Sequence, residues 1–247
     1  MKIFFLGTNG WYDSLAGSTP SILIDTIDAY IILDAGFGIA KAGQHIKEDK
    51  PVYLFLTHFH LDHICGLSAL SKLSLKQPLT ILSHKGLDKT LKTIFVHPYA
   101  SPIRDLNFKI KTKELKEGNY SEPIKFECRK LEHVDLTFGY RLYLENKIIT
   151  YCSDTKPCDN DLKLAAGADI LLHECGYNLQ PPDDFWGHTD PEGAGELALA
   201  AGVKKLYLTH FGPNAFATKS SRLIAQKRAR QKFKNSFAAF DAMKLEI

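Results

Sequence analysis

Two mixed β-sheets packed face to face with helices outside, an αββα sandwich, form the fold class predicted by this 247-residue sequence. Three observations predict it. The chain opens on short apolar runs close enough in sequence to pair as hairpins. Each half runs through strands first and helices afterwards. The late apolar runs Ile170 to Glu174 and Lys205 to Leu208 each follow a helical or Ala/Gly-rich stretch, as parallel αβ units do. A single doubly wound sheet accounts less well for that order.

Taken along the chain, Lys2 to Leu6 reads as a first strand, Gly7-Thr8-Asn9-Gly10 as a turn, and Ser21 to Ile24 and Tyr30 to Leu33 as the next strands. Gly36 to Ile46 is suited to start a helix, Pro51 to Leu56 is a buried strand, Leu67 to Leu73 is helical, and Thr80 to Ser83 is a further strand. Asp88 to Ile94 fits a helix. Phe95 to Asp105, rich in prolines and aromatics, reads as a loop over a functional site. Strands return at Lys109 to Leu115, Ile124 to Leu131, Phe138 to Leu144 and Lys147 to Tyr151.

With 45% hydrophobic and 24% charged residues, the chain can bury a full core, and residues 1–247 are expected to form one domain. A net charge of +3 is too small to imply nucleic-acid binding, yet it does not oppose an anionic substrate. The five cysteines, Cys65, Cys128, Cys152, Cys158 and Cys175, include no C-x-x-C pair and read as reduced thiols. The apolar start is too short for a secretory signal, and no run approaches the roughly 18 residues of a membrane span. No membrane partner and a cytoplasmic location are therefore expected.

The segment Thr57-His58-Phe59-His60-Leu61-Asp62-His63 places three imidazoles and a carboxylate within six residues, directly after the apolar run Val52 to Leu56. Imidazole and carboxylate are the ligands of a hydrolytic Zn²⁺ centre, and the short spacing lets one turn aim side chains at two neighbouring ions. Two ions need further donors. His133, Asp154 and His210 fit, because each follows an apolar strand, where a sheet edge would present it.

These residues resemble the metallo-β-lactamase superfamily and, within it, the ribonuclease Z-like phosphodiesterase branch. The resemblance is carried by Leu6-Gly7-Thr8, His58 to His63, Ser153-Asp154-Thr155, His173-Glu174, Gly187-His188-Thr189, Leu208-Thr209-His210-Phe211 and the ending Phe233 to Ile247. It implies that His58, His60 and His133 hold one ion, that Asp62, His63 and His210 hold the other, and that Asp154 bridges them. In glyoxalase II-like and lactonase-like relatives a Gly-His-Thr histidine precedes the bridging aspartate. Here His133 lies in Glu-His-Val-Asp, and Gly187-His188-Thr189 follows Asp154. That order resembles the phosphodiesterases and implies that His188 assists catalysis without ligating, with Glu174 behind it.

Two ions about 3.5–4 Å apart would then activate water and bind a phosphoryl oxygen. Asp62 would take up the water proton while ligating, and His188 would protonate the leaving oxygen. Zn²⁺ is the expected ion, although a mixed His/Asp set also suits Mn²⁺ or Fe²⁺. No organic cofactor is indicated. The tRNA-processing members carry a long arm between the third histidine and the bridging aspartate, whereas only about twenty residues separate His133 from Asp154. A small or cyclic anionic phosphodiester is therefore the expected substrate, and tRNA is not. The cysteine-rich zinc insertion of some cyclic-phosphate phosphodiesterases is also absent. A homodimer is implied by the resemblance alone.

Two other functions compete with this one: a lactone or thioester hydrolase of the same fold, and a non-catalytic, metal-containing regulatory binding protein. Motif order argues against the first and the complete ligand set against the second. Among the other candidates, His173 is expected in the core or behind a ligand, and His45, His84 and His97 on the surface or in loops. Asp34 reads equally as a turn carboxylate or as a hydrogen-bond partner of a ligating imidazole. Asp183 and Asp184 read as a solvated loop, and Lys227 to Lys232 as a charged helix face.

Overall fold

Strands whose odd and even positions are both apolar must be covered on both faces. The structure, a computed structural model that describes residues 1–247, covers them with a second sheet on one side and helices on the other. The first half supplies β1 (Lys2–Gly7), β2 (Ser21–Asp25), β3 (Tyr30–Leu33), β4 (Val52–Phe55), α1 (Leu61–Ile64), β5 (Leu79–His84), α2 (Leu87–Ile94) and β6 (Ile110–Leu115). The second half supplies β7 (Gly118–Tyr120), β8 (Phe126–Lys130), β9 (Phe138–Leu144), β10 (Lys147–Cys152), α3 (Asp159–Ala165), β11 (Ile170–Cys175), α4 (Pro191–Ala200), β12 (Leu206–Phe211), α5 (Lys219–Lys232) and β13 (Ser236–Ala238). A last strand, β14 (Lys244–Glu246), returns to pair with β1.

Each sheet has seven strands, in the orders β14-β1-β2-β3-β4-β5-β6 and β13-β12-β11-β10-β9-β8-β7. Both change from antiparallel to parallel pairing midway, at β3 in one and β10 in the other. Alternation within each strand divides the core. Ile22, Ile24, Ile31, Leu33 and Phe55 meet Phe126, Tyr140, Leu142, Tyr151 and Leu172 between the sheets. Leu23, Ile32, Leu54 and Ile81 face outward onto Ile39, Leu67, Leu70, Leu87 and Leu91. On the far side Leu171, Leu206 and Leu208 pack against α3, α4 and α5 through Leu164, Leu197, Ala225 and Ala229.

The predicted αββα order is observed, with local departures. The stretches read as helical at Gly36 to Ile46 and Leu67 to Leu73 are 3₁₀ turns, Phe37–Gln44 and Cys65–Lys72. The Phe95 to Asp105 segment does not cover a functional site: Phe95 is buried with Leu87 and Leu91 in the outer layer of the first half, and the segment ends in a 3₁₀ turn at Ile103–Asp105. His84 is buried, its ring tilted against that of Phe59 with centroids 4.3 Å apart. His45 stacks on Phe4. The basic run of α5 is a charged face whose Arg228 and Lys232 pair with Glu192 and Glu196 of α4. Cys128, Cys152 and Cys175 are buried, and all five cysteines are free. No helix is long and apolar enough to cross a membrane.

Candidate metal centre

Parallel pairing aligns strand ends, and the candidate side chains gather at one such edge. His58 and His60 follow β4, Asp62 and His63 ride on the single turn of α1, and His133 follows β8. Asp154 follows β10, and His210 is the penultimate residue of β12. Three residues on which the site depends leave the strands with left-handed backbone: Asp34 at φ 58°, Asp154 at 49° and His210 at 49°. Asp and His are among the few non-glycine residues that tolerate this region, and such strain concentrates at functional sites.

The seven candidate ligands form two sets around one carboxylate. Nitrogen and oxygen atoms of His58, His60, His133 and Asp154 lie within 4.8 Å of one another, as do those of Asp62, His63 and His210. Asp154 is buried and directs one oxygen to each set. Its Oδ1 is 3.1 Å from His63 Nε2 and 3.2 Å from His210 Nε2, while its Oδ2 is 3.8 Å from His58 Nε2 and 3.9 Å from His133 Nε2.

The second nitrogens and oxygens are held from behind. His63 Nδ1 donates to Asp34 Oδ2 at 2.8 Å, and His133 Nδ1 donates to the Gly187 carbonyl at 3.1 Å. His60 Nε2 donates to Asp135 at 2.8 Å. His58 Nδ1 meets Thr57 Oγ1 at 3.0 Å, and that hydroxyl donates onward to Asp34. Asp34 thus supports both sets, for it also accepts from the Thr57 amide and from Tyr151 Oη, at 2.8 Å each. Of the two sequence readings of Asp34, the imidazole partner is the one observed. Trp11 N donates to Asp62 Oδ2 at 2.7 Å.

A metal fits these residues on structural grounds. His58 Nε2 is buried with no hydrogen-bond partner, a cost of about 1–3 kcal/mol that coordination would remove. His63 Nε2 and His210 Nε2 face each other at 3.1 Å, an approach of two nitrogens that a shared cation would relieve. Burial lowers the His58 pKa well below its ordinary value, so its lone pair is free at neutral pH. Burial opposes charge on His63 too, but Asp154, Asp62 and Asp34 outweigh it and raise its pKa well above the ordinary value. Despite burial, neighbouring imidazoles hold Asp62 and Asp154 well below the usual carboxylate range.

His188 stands beside both sets, its ring 5.2 Å from that of His133 and 5.8 Å from that of His210. Its Nδ1 is held by Glu174 at 2.9 and 3.2 Å, and Glu174 is itself fixed by the amides of Thr155 and Gly176. Burial disfavours the imidazolium, but the Glu174 carboxylate prevails and the His188 pKa is pushed up to about 9. His173 lies in the core and pairs with Asp161 at 2.9 Å, away from this cluster. Asp183 is exposed, whereas Asp184 is engaged with Tyr177 and the Gly187 amide.

The cluster opens into a cleft of about 470 Å³. Some of its walls are absent from the sequence reading: Trp11, Trp186, Tyr177, Asn178 and Asn214. So is Asp135. Gly10 permits this closure, because a Cβ there would collide with the His210 ring.

A family profile described as "Beta-lactamase superfamily domain" matches residues 29–211. The chain is 27% identical to the Ribonuclease Z of Archaeoglobus fulgidus over 316 aligned positions, covering 100% of this chain and 97% of that protein. That alignment is longer than the 247 residues of this chain, so the relative carries segments that are missing here. Among solved structures, the metallo-beta-lactamase fold protein YhfI of Bacillus subtilis matches with a TM-score of 0.80 at 20% identity, over 99% of each chain. The human short-form tRNase Z matches with a TM-score of 0.75 at 22% identity, over 100% of this chain and 99% of that one. Both are likenesses of fold.

Proposed function

We propose that this chain, a metal-dependent hydrolase that belongs to the beta-lactamase superfamily, is a dinuclear phosphodiesterase whose whole length forms one catalytic unit. The observation that carries the reading is the disposition of Asp154, one oxygen toward each ligand set. His58, His60 and His133 would hold one divalent ion, Asp62, His63 and His210 the other, with Asp154 shared. Two ions at such a site supply a nucleophile at neutral pH and neutralise the charge that develops on the phosphoryl oxygens. Zn²⁺ suits the imidazole-rich set best.

The residues then divide the proton chemistry. Trp11 N occupies Asp62 Oδ2, which leaves Oδ1 to accept the proton of the attacking water. On the opposite face of the phosphorus, His188 donates from Nε2 to the leaving oxygen while Glu174 keeps Nδ1 fixed. Such a pair suits departure of an alkoxide, which needs a proton. The phosphodiester reading is supported by the relatives named Ribonuclease Z. That name also weighs against excluding RNA on the short His133 to Asp154 connection alone, so RNA belongs among the substrates to be tried.

The test is a substrate panel on metal-loaded protein: bis(p-nitrophenyl) phosphate, a pre-tRNA, a thioester and a lactone. Hydrolysis of the diester with the thioester and lactone untouched is the expected result. Preference for the thioester or lactone would overturn the phosphodiesterase reading, and no hydrolysis of any would point to a binding protein.

A further inference from the structure

The chain has two tryptophans, and both line the metal cleft. Each is unusually exposed for so large an apolar side chain, Trp11 by 69% and Trp186 by 54%. Each is also tied to a different ligand set. Trp11 donates its amide to Asp62, and its backbone takes φ 62°, a left-handed conformation costly for a bulky residue. Trp186 accepts the Val134 amide at 3.0 Å through its carbonyl, and the next carbonyl, of Gly187, holds His133. Each indole meets an aromatic neighbour edge-on, Tyr12 at 5.1 Å and Phe185 at 5.6 Å.

Charge narrows the ligand further. No Lys or Arg lines the cleft. The guanidinium that touches its wall, Arg228 on Asn178, is already forked onto Glu192. Beyond the ligand sets and His188, the walls offer neutral polar groups such as Asn178 and Asn214 but no positive charge to answer a second phosphate. The exposed aromatic faces that the lining offers to an uncharged diester arm are Trp11 and Trp186, one beside each ligand set.

We propose that the cleft takes a dinucleoside monophosphate, with its one phosphate at the metal ligands and one base stacked on each of Trp11 and Trp186. This inference builds on the phosphodiesterase reading and adds the substrate class and the two residues that select it. The cleft volume of about 470 Å³ is in the range of roughly 300–1,000 Å³ common for small-molecule sites.

Because both tryptophans of the chain line the cleft, intrinsic fluorescence reports its occupancy. Metal-loaded protein is titrated with phosphorothioate-linked diadenosine, a slowly cleaved dinucleoside, and with diethyl phosphate, a base-free diester. Saturable quenching by the dinucleoside, with affinity at least about tenfold above diethyl phosphate, is expected. Trp11→Ala and Trp186→Ala should each weaken the dinucleoside about tenfold, and the Phe variants should retain most of the affinity, since any aromatic face can stack a base. Equal affinities for the two diesters, or Ala variants that bind the dinucleoside as wild type does, would overturn the inference. Quenching that follows protein concentration instead of ligand would also overturn it and make the indoles a contact between copies. Turnover of bis(p-nitrophenyl) phosphate on the same samples separates the two levels: its absence sinks the phosphodiesterase reading, and its presence without base preference sinks only this one.

Discussion

On one side of Asp154 stand three imidazoles, His58, His60 and His133; on the other stand a carboxylate and two imidazoles, Asp62, His63 and His210. Their supports differ as well. His60 leans on Asp135, whose side chain is 68% exposed, whereas His63 leans on Asp34, which is fully buried and held by several donors. Negative charge and rigidity are therefore concentrated on the second set. A cation held there gains from two nearby carboxylates in a low-dielectric setting, while one held by the first set gains mainly from neutral imidazoles. Withdrawal of metal by a chelator is expected in two steps, the all-imidazole set emptying first.

Outside the ligands themselves, the largest expected effect belongs to the residue that stands beside both sets. His188→Ala should lower kcat by about 10²–10⁴-fold, the range for loss of a general acid, with metal content unchanged. Metal analysis beside turnover checks this, and loss of metal in that variant would instead make His188 a ligand. Next comes the buried support. Asp34→Ala leaves the Thr57, His63 and Tyr151 donors without an acceptor and should cost about 3 kcal/mol or more in urea unfolding of the metal-free protein. It should also empty the second set and, through Thr57 and His58, weaken the first.

Asp135→Ala sharpens the contrast, because its partner His60 serves only the first set. Metal affinity there should fall about tenfold, at the low end for loss of a supporting carboxylate, and the second set should be unaffected. Chelator competition checks it, and equal loss from both sets would break the comparison.

A pair outside both sets serves as a control. Burial disfavours charge on His173, yet Asp161 and the Glu174 carbonyl accept from its two nitrogens and raise its pKa above the ordinary value. A raised folded-state pKa means that this stabilisation is full below the unfolded-state value, about 6.5, and is lost as pH rises through the higher folded-state one. The destabilisation caused by Asp161→Asn should accordingly be greater at pH 6 than at pH 9, as read by thermal unfolding, with metal content unchanged at either pH.

How much of this was legible in the sequence follows from where each signal lies. His58 to His63 is a local pattern, and Asp154 and His210 sit directly at the ends of strands that apolar runs announce. The supports and walls are not local. Trp11 reaches Asp62 across 51 positions, and Asp135 reaches His60 across 75, through loops whose course no periodicity encodes. The left-handed turns at Asp34, Asp154 and His210 leave no mark beyond residue types that tolerate them. Aromatic content misled at Phe95 to Asp105, because Phe95 fills a gap beside α2 and not the cleft, whereas the aromatics that do line the cleft, Trp11 and Trp186, lie in unpatterned loops.

Asp154 is the one side chain both sets share, and metal stoichiometry with diester turnover on wild type and Asp154→Ala tests its role most directly. About two metals per chain in wild type, with hydrolysis that Asp154→Ala abolishes as its metal content falls, is the predicted result. Two metals and undiminished hydrolysis in Asp154→Ala would contradict it.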